Sequence, residues 1–254
     1  MAAPPTLEDR QLACRRPAGP PVMYQSWADL AFLHWEIDPA LIEATLPPGL
    51  GVDTFEGRAY VGLVPFYMQN IRLRGLPKVP GTVNFLEMNV RTYVYDKAGT
   101  PGVWFYSLDA DNPLACAVAQ RRFHLPYYSA KMSAQRLGDE VHYQCAPKRG
   151  TSEHRSTIHY RGTGDDVSGP PGTIEYFLAE RYRLFAWQPN REHLLVGSVA
   201  HSPYRLETAQ VSECQAGAMK WCGFEIDDRP PDLAHFSAGV DVEVFALNSV
   251  ESDT

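Results

Sequence analysis

The sequence predicts an α+β protein built mainly of antiparallel β-structure, and three observations carry that expectation. Apolar and polar residues alternate in several short stretches bounded by Gly, Pro and Asp. Helix-start signals occur only in brief segments between those stretches. Two strand-like stretches over 84–110 are separated by a turn of a few residues, the connection that joins antiparallel neighbours.

The elements follow in chain order. MAAPPTLEDRQLACRRPAGPP at the N-terminus is rich in proline and charge and has no apolar run, so 1–22 reads as a flexible arm and not as a signal peptide. Asp38 caps, and Pro39 opens, a short amphipathic helix in ALIEATL that Pro47-Pro48-Gly49 stops. AYVGLVPFYM predicts a strand over 59–68. The stretch 84–96, a turn at 97–101 and the stretch 102–110 predict a β-hairpin. A helix over 113–122 must end before Pro126, which fixes its own φ and pushes Leu125 out of the helical region. Tyr127 and Tyr128 then start an extended segment and point to opposite faces. A Gly/Pro-rich loop near 162–172 precedes a helix over 173–180, and strands are expected at 181–187, 193–201 and 236–247. No linker or internal repeat divides the chain, so one domain over 23–248 is expected, with 249–254 as a flexible C-terminus.

Composition narrows the function classes. A formal net charge of −7 argues against nucleic acid or an anionic membrane as partner. No stretch approaches the roughly 18 apolar residues of a membrane-spanning helix. The five cysteines are scattered without a C-x-x-C pair, which suits reduced thiols and a cytoplasmic protein. No His, Cys or carboxylate set has zinc-site spacing, and phosphate-binding glycine loops and nucleophile elbows are absent, so neither metal nor cofactor is expected.

Two segments concentrate chemistry. Over 84–96, Leu86, Met88, Val90 and Val94 fall on one face and Glu87, Asn89, Arg91, Tyr93 and Tyr95 on the other. That second face is either solvated or, in a closed sheet, the polar wall of a cavity. In a cavity the Glu87 carboxyl could titrate high and act as acid or base, and Arg91 could clamp a carboxylate. The segment ACAVAQRRFHLPYYSAKM gathers Arg121, Tyr127 and Tyr128 around one rigid turn, either a plain helix-to-strand junction or a second wall of the same pocket. His34 reads as a packed core histidine. His201, at a strand end before Pro203, is a weaker candidate for binding, and Glu180-Arg181-Tyr182 reads as a surface ion pair.

FLHW, PPGL with VDT, VGLVPF, FLEMNVRTYV, GVWFYSLDA, LPYYSAKM, FLAERYRLF and VAHSPY occur in an order that resembles the YqjF-like family of uncharacterised proteins, from about Tyr24 to Val244. More distantly, the chain resembles the acetoacetate decarboxylase superfamily, through a Glu-bearing strand, a following hairpin and a proline-centred turn. That resemblance implies a closed β-barrel or cone with short flanking helices, and it matches Glu87 to a cavity glutamate; Arg91 matches only the YqjF-like pattern. Superfamily members place a Schiff-base lysine just after the proline, where this chain has Tyr127 and Tyr128. Lys131, a few residues on along an extended segment, lies too far away to replace it.

The resulting expectation is an enzyme acting on a carbonyl- or carboxylate-bearing metabolite, such as a keto or hydroxy acid, inside a barrel cavity. Glu87 and Tyr127 are the catalytic candidates, and Arg91, Arg121, Tyr128 and His201 the substrate-binding ones. Lyase, dehydratase, isomerase or imine-independent decarboxylase chemistry all suit these groups. A non-catalytic ligand-binding or sensor protein on the same fold is the alternative, and assembly into a homo-oligomer is left open.

Overall fold

The computed structural model describes residues 3–77, 83–226 and 229–250. Its elements are α1 (Leu7–Ala13), β1 (Met23–Ile37), α2 (Pro39–Glu43), β2 (Leu50–Val52), β3 (Ala59–Leu73), β4 (Phe85–Asp96), β5 (Pro101–Ala110), α3 (Pro113–Phe123), β6 (Tyr127–Leu137), β7 (Glu140–Pro147), β8 (Ser156–Asp166), α4 (Ile174–Ala179), β9 (Arg183–Gln188), β10 (His193–Ala200), β11 (Glu207–Ala216), α5 (Gly217–Trp221), β12 (Leu233–Val244) and β13 (Asn248–Ser249). The mostly-strand α+β class is as the alternation predicts.

The strands form one sheet in the order β13-β10-β9-β5-β6-β7-β8-β11-β12-β1-β3-β4-β2, with further pairings of β4 with β5 and of β10 with β12. Neighbours are antiparallel except β5–β6 and β5–β9. The parallel β5–β6 pair needs a crossover, and α3 supplies it. Asn112 starts α3 by accepting the Ala115 N–H at 3.1 Å, with Pro113 in the first turn. His124 ends it in the left-handed region at φ 50°, and Leu125-Pro126 leads straight into β6 as the proline predicts.

Both faces of β3 and β4 are buried, which fixes the site. Val61 and Leu63 of β3 and Met88 and Val90 of β4 join the main core with Trp35, Tyr143, Ile158 and Tyr160. The opposite faces, Val64, Phe66 and Met68 on β3 and Glu87, Asn89 and Arg91 on β4, turn into a cavity. In register, Phe66 lies beside Glu87, Val64 beside Asn89 and Gly62 beside Arg91. Gly62 gives room there, because a Cβ would stand a tight 3.0 Å from the buried His34 ring.

Several expectations need correction. The N-terminal arm contains α1, whose Thr6 and Asp9 form a capping box and whose Arg10 ion-pairs the fully buried Asp53 with both guanidinium nitrogens. Of the expected C-terminal tail, Ser249 pairs in β13 and 251–254 lie outside the described residues. Strands β1, β2, β7, β8, β11 and β13 are additional to those predicted, as is helix α5. Glu180-Arg181-Tyr182 is no surface pair: Arg181 and Tyr182 are buried, Arg181 bonds to Asp53, and Glu180 accepts from the Tyr182 hydroxyl and the Tyr204 N–H.

Candidate active site

A cavity of about 380 Å³ opens between β3, β4, β5 and α3, within the roughly 300–1,000 Å³ typical of small-molecule sites. Glu87, Asn89, Arg91 and Tyr127 all line it. The Tyr127 hydroxyl donates to Glu87 Oε2 at 2.8 Å. β5 lies between them in the sheet: Leu108 pairs with both Asn89 and Tyr127, so the two polar side chains project to the same side across one intervening strand. Behind Glu87, the buried Tyr143 hydroxyl donates to the Glu87 and Phe66 carbonyl oxygens at 2.9 and 3.1 Å, pinning the backbone that carries the carboxyl.

Burial dominates the electrostatics of this pair. Glu87 is 2% exposed, and desolvation pushes its carboxyl up to about 8 even though hydrogen bonds from Tyr127 and Asn89 pull the other way. The Tyr127 phenol is held well above its ordinary range, by burial first and then by the carboxylate it faces. At neutral pH the pair therefore holds its protons, and near pH 8 the carboxyl can both give and take one.

Cationic groups stand along the same wall. The Arg91 guanidinium donates to the Leu178 carbonyl at 3.2 Å and lies over the Phe32 and Tyr93 rings. Tyr93 is held by its own bond to Leu178 O at 2.8 Å and by His34 Nε2 at 2.6 Å. His34 is fully buried and held well below its usual pKa, first by desolvation and then by Arg91, which makes it the packed histidine expected from sequence. Arg181, between α4 and β9, also lines the cavity, braced by Asp53 at 2.8 Å and the Phe177 carbonyl at 2.7 Å. Arg91 Nε, Arg181 Nη2 and Asn89 Oδ1 are buried without a hydrogen-bond partner among the described residues. Such atoms are costly to leave unpaired, and here they belong to residues that border one cavity.

The structure thus brings together Glu87, Tyr127 and Arg91 and separates the other candidates. Arg121 is exposed on the last turn of α3 and does not line the cavity. Tyr128 points away, as alternation requires, with Arg149 3.4 Å above its ring. His201 stacks on Tyr182 at 4.2 Å behind Trp27 and Tyr204, and burial lowers its pKa to about 4, so it buttresses the wall as a neutral ring. Arg181 is the residue that sequence reasoning missed. Lys131 is exposed on β6, none of the described lining residues is a lysine, and Lys78 lies outside the described residues. Away from the cavity, Glu140, His142 and His159 place three ligand-type atoms within 4.8 Å across β7 and β8, a grouping invisible to sequence spacing. These groups already have partners, His142 with Glu140 at 2.7 Å inside the cluster and His159 with Glu213 of β11 at 3.3 Å outside it.

Residues 24–241 match a family described as uncharacterised conserved proteins, DUF2071. The chain is 34% identical over 231 residues to the uncharacterised protein YqjF of Bacillus subtilis (strain 168), covering 91% of this chain and 93% of that one. The chain belongs to this YqjF-like family. Among solved structures, the enduracididine biosynthesis enzyme MppR complexed with pyruvate superposes with a TM-score of 0.66 at 12% identity, covering 93% of both chains. Acetoacetate decarboxylase from Legionella pneumophila gives 0.62 at 16% identity over 92% of this chain and 88% of its own. An acetoacetate decarboxylase-like enzyme from Sphingomonas wittichii RW1 gives 0.60 at 14% identity, over 92% and 95%. At these identities the likeness establishes the acetoacetate decarboxylase-like fold. No helix among the described residues is long and apolar enough to cross a membrane.

Proposed function

We propose that this YqjF-like protein is an enzyme that moves a proton next to the carbonyl of a keto or hydroxy acid, with Glu87 as the proton-transferring group. The observation that carries the proposal is the 2.8 Å hydrogen bond from half-buried Tyr127 to buried Glu87, in one cavity with the Arg91 and Arg181 guanidinium groups. The two arginines bind the substrate carboxylate and the oxygen on which negative charge develops, replacing the expected Arg121. Glu87, ionising near 8, takes the proton from the adjacent carbon and returns it, while Tyr127 orients the carboxyl and stabilises its charged form through the hydrogen bond. An isomerase returns that proton to a carbon of the same enolate and a dehydratase or other lyase passes it to the leaving group, whereas an imine-independent decarboxylase releases CO2 and needs only protonated Glu87 to deliver a proton to the enolate carbon. The β4–β5 and β10–β12 pairings support a closed barrel around the cavity. A cytoplasmic, single-domain protein, with α1 joined to the 23–248 domain through Arg10 and Asp53, belongs to the same reading.

Keto and hydroxy acids screened by thermal shift and native mass spectrometry supply the ligand, and variants then test the chemistry. Glu87→Gln and Tyr127→Phe lower kcat by roughly 10²- to 10⁴-fold and about tenfold or more, respectively, while ligand binding persists. Tyr127→Phe also moves the acidic limb of the pH–rate profile upward, because the hydrogen bond it removes lowers the pKa of Glu87, which acts as base only when ionised. Binding without turnover of any acid bound by the wild type would instead identify a ligand sensor on this fold.

A further inference from the structure

The cavity is not uniform: Glu87, Asn89, Arg91 and Tyr127 share one stretch of wall, and although Gln25, Arg72 and Arg183 also line the cavity, a long apolar surface connects that stretch to solvent. Beyond Glu87 the lining passes through Phe66, Met68, Phe85 and Leu108 to a rim formed by two separate segments. Leu73 and Leu76 stand on one side of the rim, 49% and 53% exposed, and Leu114 and Val118 on the other, 59% and 50% exposed. Leu114 and Val118 are one helical turn apart and share a face of α3, with Ala115 and Ala119 beside them on the lining. Four large apolar side chains left in water around one opening mark a surface that a ligand covers. A three- or four-carbon acid, sufficient for Glu87 and the arginines, fills only a small part of about 380 Å³, since sites of roughly 300–1,000 Å³ accommodate ligands of drug size.

We infer that the substrate is an acid with an extended aliphatic tail. Its oxidised head lies against Glu87, Tyr127 and Arg91, and its tail runs over Phe66, Met68 and Phe85 to end between α3 and the Leu73–Leu76 side of the rim. This inference rests on the assignment of Glu87 and Arg91 as the head-group site and adds the tail. Calorimetric titration of the whole protein with 2-oxobutanoate, 2-oxohexanoate and 2-oxooctanoate tests it, with 1-octanol as the headless control. Affinity rises roughly fourfold for each added methylene, and 1-octanol binds at least about tenfold more weakly than 2-oxooctanoate, having lost the charge-assisted contacts. Leu114→Asp combined with Val118→Asp, both on the exposed rim, lowers 2-oxooctanoate affinity by about tenfold or more and leaves 2-oxobutanoate unchanged. A flat series overturns the tail, and if Arg91→Met still abolishes 2-oxobutanoate binding the head-group site stands without it. A series that rises equally in Arg91→Met, with 1-octanol as tight as the acid, overturns the head-group site and with it the inference that the substrate is an acid, leaving an apolar-chain pocket alone.

Discussion

At the scale of residues, Glu87 links stability to pH in a direction opposite to that of most carboxylates. Its carboxyl ionises at its ordinary value of 4.5 when unfolded and at about 8 in the folded protein. Between those values the folded chain keeps a proton that the unfolded chain has released, so this contribution to stability is complete below pH 4.5 and is lost as pH rises through 8. The loss amounts to on the order of 4 kcal/mol by pH 8. Urea unfolding of wild type and Glu87→Gln between pH 5 and pH 9 therefore gives a difference that grows with pH in favour of the variant. Asp109 and Glu180, whose pKa values burial also raises, remain in both proteins and cancel in the comparison. Parallel pH dependences of wild type and variant would show that Glu87 is not held protonated.

At the scale of elements, α1 locks the far side of the site. Arg10 and Arg181 share the buried Asp53, so the N-terminal helix completes the charge balance of a residue that lines the cavity. Arg10→Met destabilises the protein by about 2–3 kcal/mol, since it removes charged hydrogen bonds from a carboxylate that has no access to water. Arg15→Met, at an exposed position just beyond the helix, leaves the unfolding midpoint within about 0.5 kcal/mol of wild type and serves as the control. The Thr6-x-x-Asp9 signal for α1 was present in the sequence but stood among prolines and charges that read as an arm. Strand β4 and the end of helix α3 were legible because strict alternation and the constraint of Pro126 on Leu125 depend on local chemistry alone. Strand β1 was not: its Leu30–Trp35 stretch is buried on both faces, and an apolar run buried on both sides has no period to detect. In β7 the inward Val141, Tyr143 and Cys145 do alternate with His142 and Gln144, a signal that polar composition obscured.

At the scale of the molecule, Glu87 and Arg91 could be paired from sequence because one strand carries both. Adding Tyr127 needed the proline turn and the family resemblance, and Arg181 could not be found at all, since only the topology brings the α4–β9 junction to β4. The same topology turned Arg121, Tyr128 and His201 away: helix phase, strand alternation and ring stacking, respectively, decide where those side chains point. What the whole fold assembles is a dry carboxyl and two cations around one cavity, and the claim that this assembly moves protons has a direct test. Proton NMR of 2-oxobutanoate with the protein in D₂O follows exchange of the hydrogens on the carbon beside the carbonyl. Wild-type protein is expected to exchange them at least about a hundredfold faster than Glu87→Gln, with both binding the acid. Exchange no faster than in buffer, from a wild-type protein that demonstrably holds 2-oxobutanoate in this cavity, would contradict the enzymatic account and leave a receptor in its place.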